Sequence, residues 1–361
     1  MRHSQLTRRQ FNRWLLASAL TSSTKVYAQT EPLKDVSPLN LLVAAIQMVP
    51  KLGDVQSNLK QAEQLIREAQ KEGAQWIILP EMFTSAVAFH EDMLKAIQPV
   101  DGPPLQLLKR LSKEGNTVIG GSFLARNDKG VFNTFVLVFP DGNVVQHDKD
   151  SPTYWENCYY KSGNDNGVLS TPIGNVGSVL CWELIRSRTA QRLLNKVKMV
   201  VSGSCWWTLP EETDSNNPRW ATNLKMLQDA PPRIARLLGV PVIHGSHAGD
   251  FKGFFSPEIA DVPYNSSYLG EAMIVDAQGQ VLAKRSKNQG EGVVIAEVQI
   301  SDKAVPTETI PETFWIPKEM PEDWKESWER WFASGADYYD LVTEPFLQEG
   351  IINEYEPPYF R

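Results

Sequence analysis

Cys181 closes a short apolar run, Val176 to Leu180, in the segment Gly177-Ser178-Val179-Leu180-Cys181-Trp182-Glu183-Leu184-Ile185-Arg186. The run reads as a buried strand. From Arg186 to Lys196 the pattern turns helical, with Leu184, Ile185, Leu193 and Leu194 apolar and Arg188, Gln191 and Arg192 polar. A cysteine at a strand-to-helix turn presents its sulfur at a sheet edge. Backbone N–H groups and a positive helix end there favour thiolate over thiol, as a nucleophile requires. The alternative is a small buried apolar residue, because free cysteine is among the most buried types.

Three further residues stand where a plain core pattern would place something else. Glu81 leaves the apolar run Trp76-Ile77-Ile78-Leu79 directly, and a carboxylate near a core is costly without a partner or a task. Lys149 follows His147-Asp148, and Glu156 comes seven residues later in Pro152-Thr153-Tyr154-Trp155-Glu156. Singly they read as a helix-start carboxylate, a surface ion pair and a solvated loop. Together with a cysteine they are what hydrolysis of an amide or nitrile needs. A carboxylate takes the thiol proton, and a lysine stabilises the charge that builds on substrate oxygen or nitrogen. Histidine, the usual base, shows no triad-type spacing at His90, His147, His244 or His247. His244-Gly245-Ser246-His247 lacks a third ligand at metal-site spacing, and Gly120-Gly121 is too short for a phosphate loop.

Pro80-Glu81-Met82-Phe83, the segment ending at Lys149, and Leu180-Cys181-Trp182-Glu183 follow one another in the order and spacing of the nitrilase superfamily, the carbon–nitrogen hydrolases. The resemblance runs from about Leu41 to Val298. Lys149-x-x-Pro152-Thr153-x-x-Glu156, Thr171-Pro172-Ile173-Gly174 and Gly203-Ser204-Cys205-Trp206-Trp207 resemble the nitrilase branch in particular. Leu184 and His247 stand where relatives often carry Asn. The resemblance implies a four-layer αββα sandwich that pairs with a second copy. It implies Glu81 as general base, Lys149 as cationic stabiliser, Cys181 as nucleophile and Glu156 as a second orienting carboxylate. The backbone N–H of Trp182 would join the oxyanion site. It implies no metal or organic cofactor. Trp182, Tyr154, Trp206 and Trp207 are candidate pocket walls, with core packing as the alternative for each. Two other readings stay open: transfer of the acyl group to an amine, and a catalytically silent binding module.

The elements that must position these groups are legible in the apolar patterning. Leu41 to Met48 reads as a strand, and Asp54 to Lys71 as a helix with Leu59, Ala62, Leu65, Ile66 and Ala69 on one face. Leu105 to Lys113 is a second helix. Thr117 to Ser122 and Val131 to Phe139 are strands, and Asp141-Gly142 predicts a hairpin into Val144. Met199 to Val201 and Val240 to His244 are strands flanking a helix from Asn223 to Leu238. Gln278-Gly279 predicts another hairpin, and Val293 to Val298 is the last strand. Early helix–strand alternation followed by hairpins predicts α/β layers with a mixed sheet covered on both faces.

The chain of 361 residues divides into an export signal (1–28), a linker (29–40), a hydrolase domain (41–300) and a C-terminal extension (301–361). Arg8-Arg9 before the apolar stretch Trp14 to Leu20, and Val26-Tyr27-Ala28 after it, have the layout of a twin-arginine export signal removed near Ala28. That predicts a folded protein in the periplasm. The apolar stretch is too short to span a bilayer. The net charge of -7 argues against nucleic acid and anionic membranes as partners. The expected partners are a small amide or nitrile and further copies of this chain. Three cysteines, Cys158, Cys181 and Cys205, leave at least one thiol outside any internal disulfide. Pro321 to Ala333 predicts an amphipathic helix whose Trp324, Trp328, Trp331 and Phe332 need a surface, on this chain's own body or on another subunit.

Overall fold

The computed structural model describes residues 39–208, 218–318 and 320–350; the expected export signal lies outside them. The first half of the chain runs β1 (Leu39–Met48), α1 (Val55–Lys71), β2 (Trp76–Ile78), α2 (Asp92–Lys95), β3 (Gln98–Pro99), α3 (Pro103–Gly115), β4 (Val118–Asn127), β5 (Gly130–Val138) and β6 (Val144–Asp148). It continues with β7 (Val168–Thr171), β8 (Gly174–Leu180), α4 (Ser187–Leu193), β9 (Met199–Ser204) and α5 (Pro218–Leu238). Then come β10 (Val242–Phe254), β11 (Pro263–Val275), β12 (Val281–Ser286), β13 (Gly292–Ile300), α6 (Glu322–Tyr338) and α7 (Glu344–Glu349).

Two mixed sheets form, and β1 joins them. Along Leu39 to Gln47 its open edge pairs with β13; at Gln47 and Met48 it pairs with Ser246 and His247 of β10 instead. One sheet therefore runs β6-β5-β4-β2-β1-β13 and the other β7-β8-β9-β10-β11-β12. Period-two alternation along β1 explains the layering. Leu41, Val43 and Ala45 pack between the sheets with Val176, Met199, Val201 and Ile243 of the second sheet. Ala44, Ile46 and Met48 face the other way, onto Ala62, Leu65 and Ile66 of α1 and Leu108 and Leu111 of α3. On the far side, Val179, Val200 and Val242 meet α5 through Leu227, Ile234 and Leu237. Helix, sheet, sheet, helix is the expected αββα order. Removing one fully buried leucine from these layers, such as Leu108→Ala, costs about 2–5 kcal/mol.

Both predicted hairpins form: Val138 faces Val144 across β5 and β6, and Val275 faces Val281 across β11 and β12. Two elements are longer than their patterns. β10 and β11 pair out to Phe254 and Pro263, well beyond the apolar cores of either strand. α5 begins at Pro218 rather than Asn223. The expected helix after Cys181 starts at Ser187, because Cys181–Ile185 folds as a tight 3-10 turn first.

Candidate active site

Glu81 follows β2 by three residues; Lys149 directly follows β6, Cys181 follows β8 and Cys205 follows β9. Strand ends of an α/β sheet leave side chains and backbone amides without in-plane partners, so polar groups gather there. Glu156 arrives on a 3-10 turn, Tyr154–Cys158, closed by a capping box between Thr153 and Glu156. The structure thus brings together all four residues singled out for chemistry.

Lys149 Nζ donates to Glu81 Oε1 at 2.9 Å, to Glu156 Oε2 at 2.8 Å and to Thr153 Oγ1 at 3.3 Å. Glu81 Oε1 also accepts from Asn133 Nδ2 at 2.9 Å, and Oε2 accepts from the backbone N–H of Cys205 at 2.9 Å. Glu156 Oε2 accepts from Thr153 N at 2.9 Å and from the Tyr160 hydroxyl. Glu81, Lys149 and Glu156 are fully buried. Burial pushes the Glu81 carboxyl above its ordinary range; Lys149 pulls it back and Glu156 pushes it further up. Burial alone would lower Lys149, but the two carboxylates outweigh it and hold the ammonium charged.

The sulfur differs from its sequence expectation. Burial, the charge of Glu81 and a hydrogen bond to Glu81 push the Cys181 thiol well above its ordinary pKa, so it rests protonated. The seven-residue helix α4 begins six residues beyond the cysteine and is too remote to favour a thiolate. Ionisation here must be concerted with transfer of the proton to a base.

Left-handed backbone marks the site. Met82 (φ 48°), Tyr154 (φ 52°) and Cys181 (φ 50°) are non-glycine residues beside or within the constellation. Each such residue costs about 1–3 kcal/mol and persists only where its surroundings over-determine it. Ser122 Oγ holds Met82 N at 2.9 Å, and the Glu183 carboxylate holds Leu180 N at 2.8 Å, just before the elbow. His247 Nε2 lies 2.8 Å from the Glu81 carbonyl and must carry its hydrogen, because a carbonyl only accepts. Burial depresses His247 to about 4, so the ring is neutral at ordinary pH. Gly203 of β9 presses on the same segment, where a Cβ would lie 2.5 Å from Glu81 N.

The sequence profile of the carbon-nitrogen hydrolase family matches residues 42–221. The chain is 30% identical to the N-carbamoylputrescine amidase of Arabidopsis thaliana, over 68% of this chain and 83% of that one. It belongs to the carbon–nitrogen hydrolases. It is also 24% identical to a nitrilase of Penicillium rubens, over 72% of this chain and 85% of that protein. The crystal structure of a carbon-nitrogen hydrolase from Helicobacter pylori G27 superposes with a TM-score of 0.60 at 17% identity, covering 72% of this chain and 89% of that one.

Around its cysteine this hydrolase carries an aromatic pocket. Cys181 shares a cavity of about 10 Å³ with Thr153, Tyr154, Trp182, Trp206, Trp207 and Trp324. That is room for about one water. The four aromatic residues named from sequence as candidate pocket walls, Tyr154, Trp182, Trp206 and Trp207, all line it. Asn223, which also lines the cavity, holds one ring and the backbone beside it: its Oδ1 accepts from Trp206 Nε1 at 2.7 Å, and its Nδ2 donates to the Trp207 carbonyl at 3.1 Å.

A second charged cluster supports the elbow of the hydrolase from behind. Glu183 accepts from Leu180 N, Asp150 N (3.0 Å) and Arg192 Nη2 (2.8 Å), and lies 3.1 Å from His147 Nε2. His147 Nδ1 faces Asp165 at 2.6 Å. Burial would lower His147, but Glu183 and Asp165 raise it to about 10. Asp150 joins Arg186 and Arg192 to the same cluster. Sequence reasoning assigned no role to Asn133, Tyr160, His147, Asp165 or Glu183. Asn133 carried a signal, as a polar residue inside the apolar strand Val131 to Phe139. The pairing of His147 with Glu183 carried none, since 36 residues separate them. Among the described residues no three His, Cys, Asp or Glu side chains gather as a metal site, and all three cysteines are free and buried.

Proposed function

We propose that this enzyme hydrolyses a small amide or nitrile through an acyl-thioester on Cys181. One observation carries the reading: the Glu81 carboxylate accepts from Lys149 Nζ and from the Cys205 N–H, and its charge acts on the Cys181 thiol beside a cavity that opens on the sulfur. The ionised Glu81 takes the thiol proton as sulfur adds to the substrate carbon. Lys149 and the backbone N–H of Trp182 stabilise the negative charge on the former carbonyl oxygen. Glu81 returns the proton to nitrogen, the C–N bond breaks, and ammonia or an amine leaves a thioester. Water then gives a proton to Glu81 as it adds to the thioester. The carbon–sulfur bond breaks, the acid departs, and the proton returns to sulfur. A nitrile passes first through a thioimidate, which water converts to the same thioester with loss of ammonia. Glu156 fixes Lys149, and its Oε1, without a partner among the described residues, accepts from the substrate N–H.

The test is ammonia release from a panel of amides and nitriles by wild type and by Cys181→Ala. Turnover by wild type and none by the folded variant is the expected result. Equal turnover by both ends the proposal. We further propose export by the twin-arginine route and assembly as a homodimer or larger. N-terminal sequencing of the exported protein checks the first, with a start near Gln29 expected and retention of Met1 contradicting it. The native mass in solution checks the second.

A further inference from the structure

We infer that the C-terminal segment from Phe314 to Tyr338 is the roof of the substrate pocket and restricts this hydrolase to flat, uncharged acyl groups; the inference rests on the hydrolytic reading above. The segment lies entirely beyond the residues matched by the family profile, which end at 221. Yet it straddles the site. On one side it straps the nucleophile turn: Ser187 N donates to the Phe314 carbonyl at 3.0 Å, Ile316 N donates to the Ile185 carbonyl at 2.8 Å, and Arg186 bridges Trp315. On the other it grips the turn that carries Glu156. Asn157 Nδ2 donates to the Phe332 carbonyl at 2.6 Å, and α6 approaches so closely at Gly335 that a Cβ there would lie 1.9 Å from Asn157 Oδ1.

Between these anchors α6 places its tryptophans over the sulfur. Trp324 lines the cavity with Cys181 and is only 1% exposed. Trp328 stacks on Trp182 with centroids 5.6 Å apart, and Trp331 packs on Tyr154 at 5.2 Å. The cavity of about 10 Å³ is too small for an amide, so entry must shift some of the rings that line it, Trp324 of the roof among them. The roof also leaves the Trp324 indole N–H buried without a hydrogen-bond partner among the described residues.

The walls set the class of occupant. Apart from the catalytic groups, no charged side chain lines the cavity. An anionic or cationic acyl group would be desolvated without a counter-charge. Aromatic rings can attract cations, but here the roof rings already carry them. The Arg186 guanidinium lies 4.8 Å from the Trp328 centroid, and that of Arg219 lies 5.8 Å from the Trp324 centroid. Arg186 is paired with Asp150 and Arg219 with Asp323, so neither charge is open to an acyl group in the cavity. A flat neutral group meets stacking surfaces, with the uncharged Thr153 and Asn223 beside them.

The experiment compares kcat/KM for benzamide, 4-aminobutyramide and succinamate, read as ammonia release by the full chain, in wild type, Trp324→Phe and Trp324→Ala. We expect wild type to favour benzamide over both charged amides by about a hundredfold or more. Trp324→Phe should keep that order, and Trp324→Ala should lower benzamide turnover about tenfold and narrow the ratio. Charged amides turned over as fast as benzamide by wild type would overturn the inference. So would an unchanged benzamide-to-succinamate ratio in folded Trp324→Ala. If Trp324→Ala does not fold, the wild-type ratio decides. Ammonia from charged amides, with Cys181 acylated, removes the roof's selectivity and leaves the hydrolytic reading intact; no ammonia from any amide or nitrile removes both.

Discussion

The Glu81–Lys149–Glu156 cluster and the His147–Glu183–Arg192 cluster are both buried, both built from charged side chains, and both reach the Cys181 elbow. They differ in how their charges are matched. In the first, two carboxylates share one lysine, and the thiol and Glu81 are both pushed up toward their protonated forms. In the second, burial would raise Glu183, but His147, Arg192 and the Leu180 N–H outweigh it and hold its carboxyl well below the usual range. Like charges crowded together leave a proton that can move; opposite charges fully matched lock every proton in place. Burial alone therefore does not distinguish a catalytic cluster from a structural one. The ratio of carboxylates to cations around each one differs as well.

The largest expected effects follow from exchanging one carboxylate in each cluster. Glu81→Gln removes the base and should lower kcat by about 10²–10⁴-fold. It leaves Lys149 paired with Glu156, so the loss of stability should be smaller than in the second cluster, where the Glu183 carboxylate meets four donors. Glu183→Gln breaks a buried pair and should destabilise the fold by about 3–5 kcal/mol. Its turnover per folded molecule should fall far less than that of Glu81→Gln. Denaturant titration beside steady-state kinetics separates the two, and a Glu183→Gln enzyme that is fully stable but inactive would break the comparison.

A smaller effect lies in the pH dependence of stability. His147 is raised from about 6.5 to about 10 in the fold. Between these values the folded chain binds the proton more tightly than the unfolded one. The contribution is complete below the unfolded value and is lost as pH rises through the folded one. Stability measured by urea unfolding should thus decline from pH 7 to pH 10, and His147→Gln should flatten that decline. A decline unaltered in His147→Gln would assign the titration elsewhere.

The smallest effect concerns Asn133. Its amide stabilises the ionised Glu81 carboxylate, so Asn133→Leu should raise the pKa of the cluster. The base must be ionised to act, and the acid limb of kcat/KM should accordingly move to higher pH. A limb that stays in place would remove Asn133 from the tuning of Glu81.

Much of this arrangement was legible before any coordinates. Leu41 to Met48 and Asp54 to Lys71 show their periodicity plainly because one pattern governs a whole strand or helix. Glu81 and Cys181 are legible at the ends of apolar runs, and Lys149 and Glu156 only in combination with them and through the family resemblance. The partners are not. Asn133, Tyr160 and the Cys205 N–H meet the carboxylates only because the sheet order brings β5 and β9 beside the Glu81 segment. The pattern puts a helix from Arg186 near enough to favour a thiolate, but the 3-10 turn Cys181–Ile185 keeps its end away from the sulfur. A left-handed residue followed by a 3-10 turn has no strong sequence pattern when the residue is not glycine. The aromatic face of Pro321 to Ala333 announced that it needed a surface, but its seat over Cys181 depends on the close approach at Gly335.

The most direct test is intact-protein mass spectrometry of the full chain, quenched in acid during turnover of an amide or nitrile. Peptide mapping then locates any added mass. The account predicts an acyl adduct on Cys181, absent in Cys181→Ala and not formed at the wild-type rate in Glu81→Gln. Ammonia release with no adduct on Cys181, or with the acyl group on Cys158 or Cys205, would contradict it.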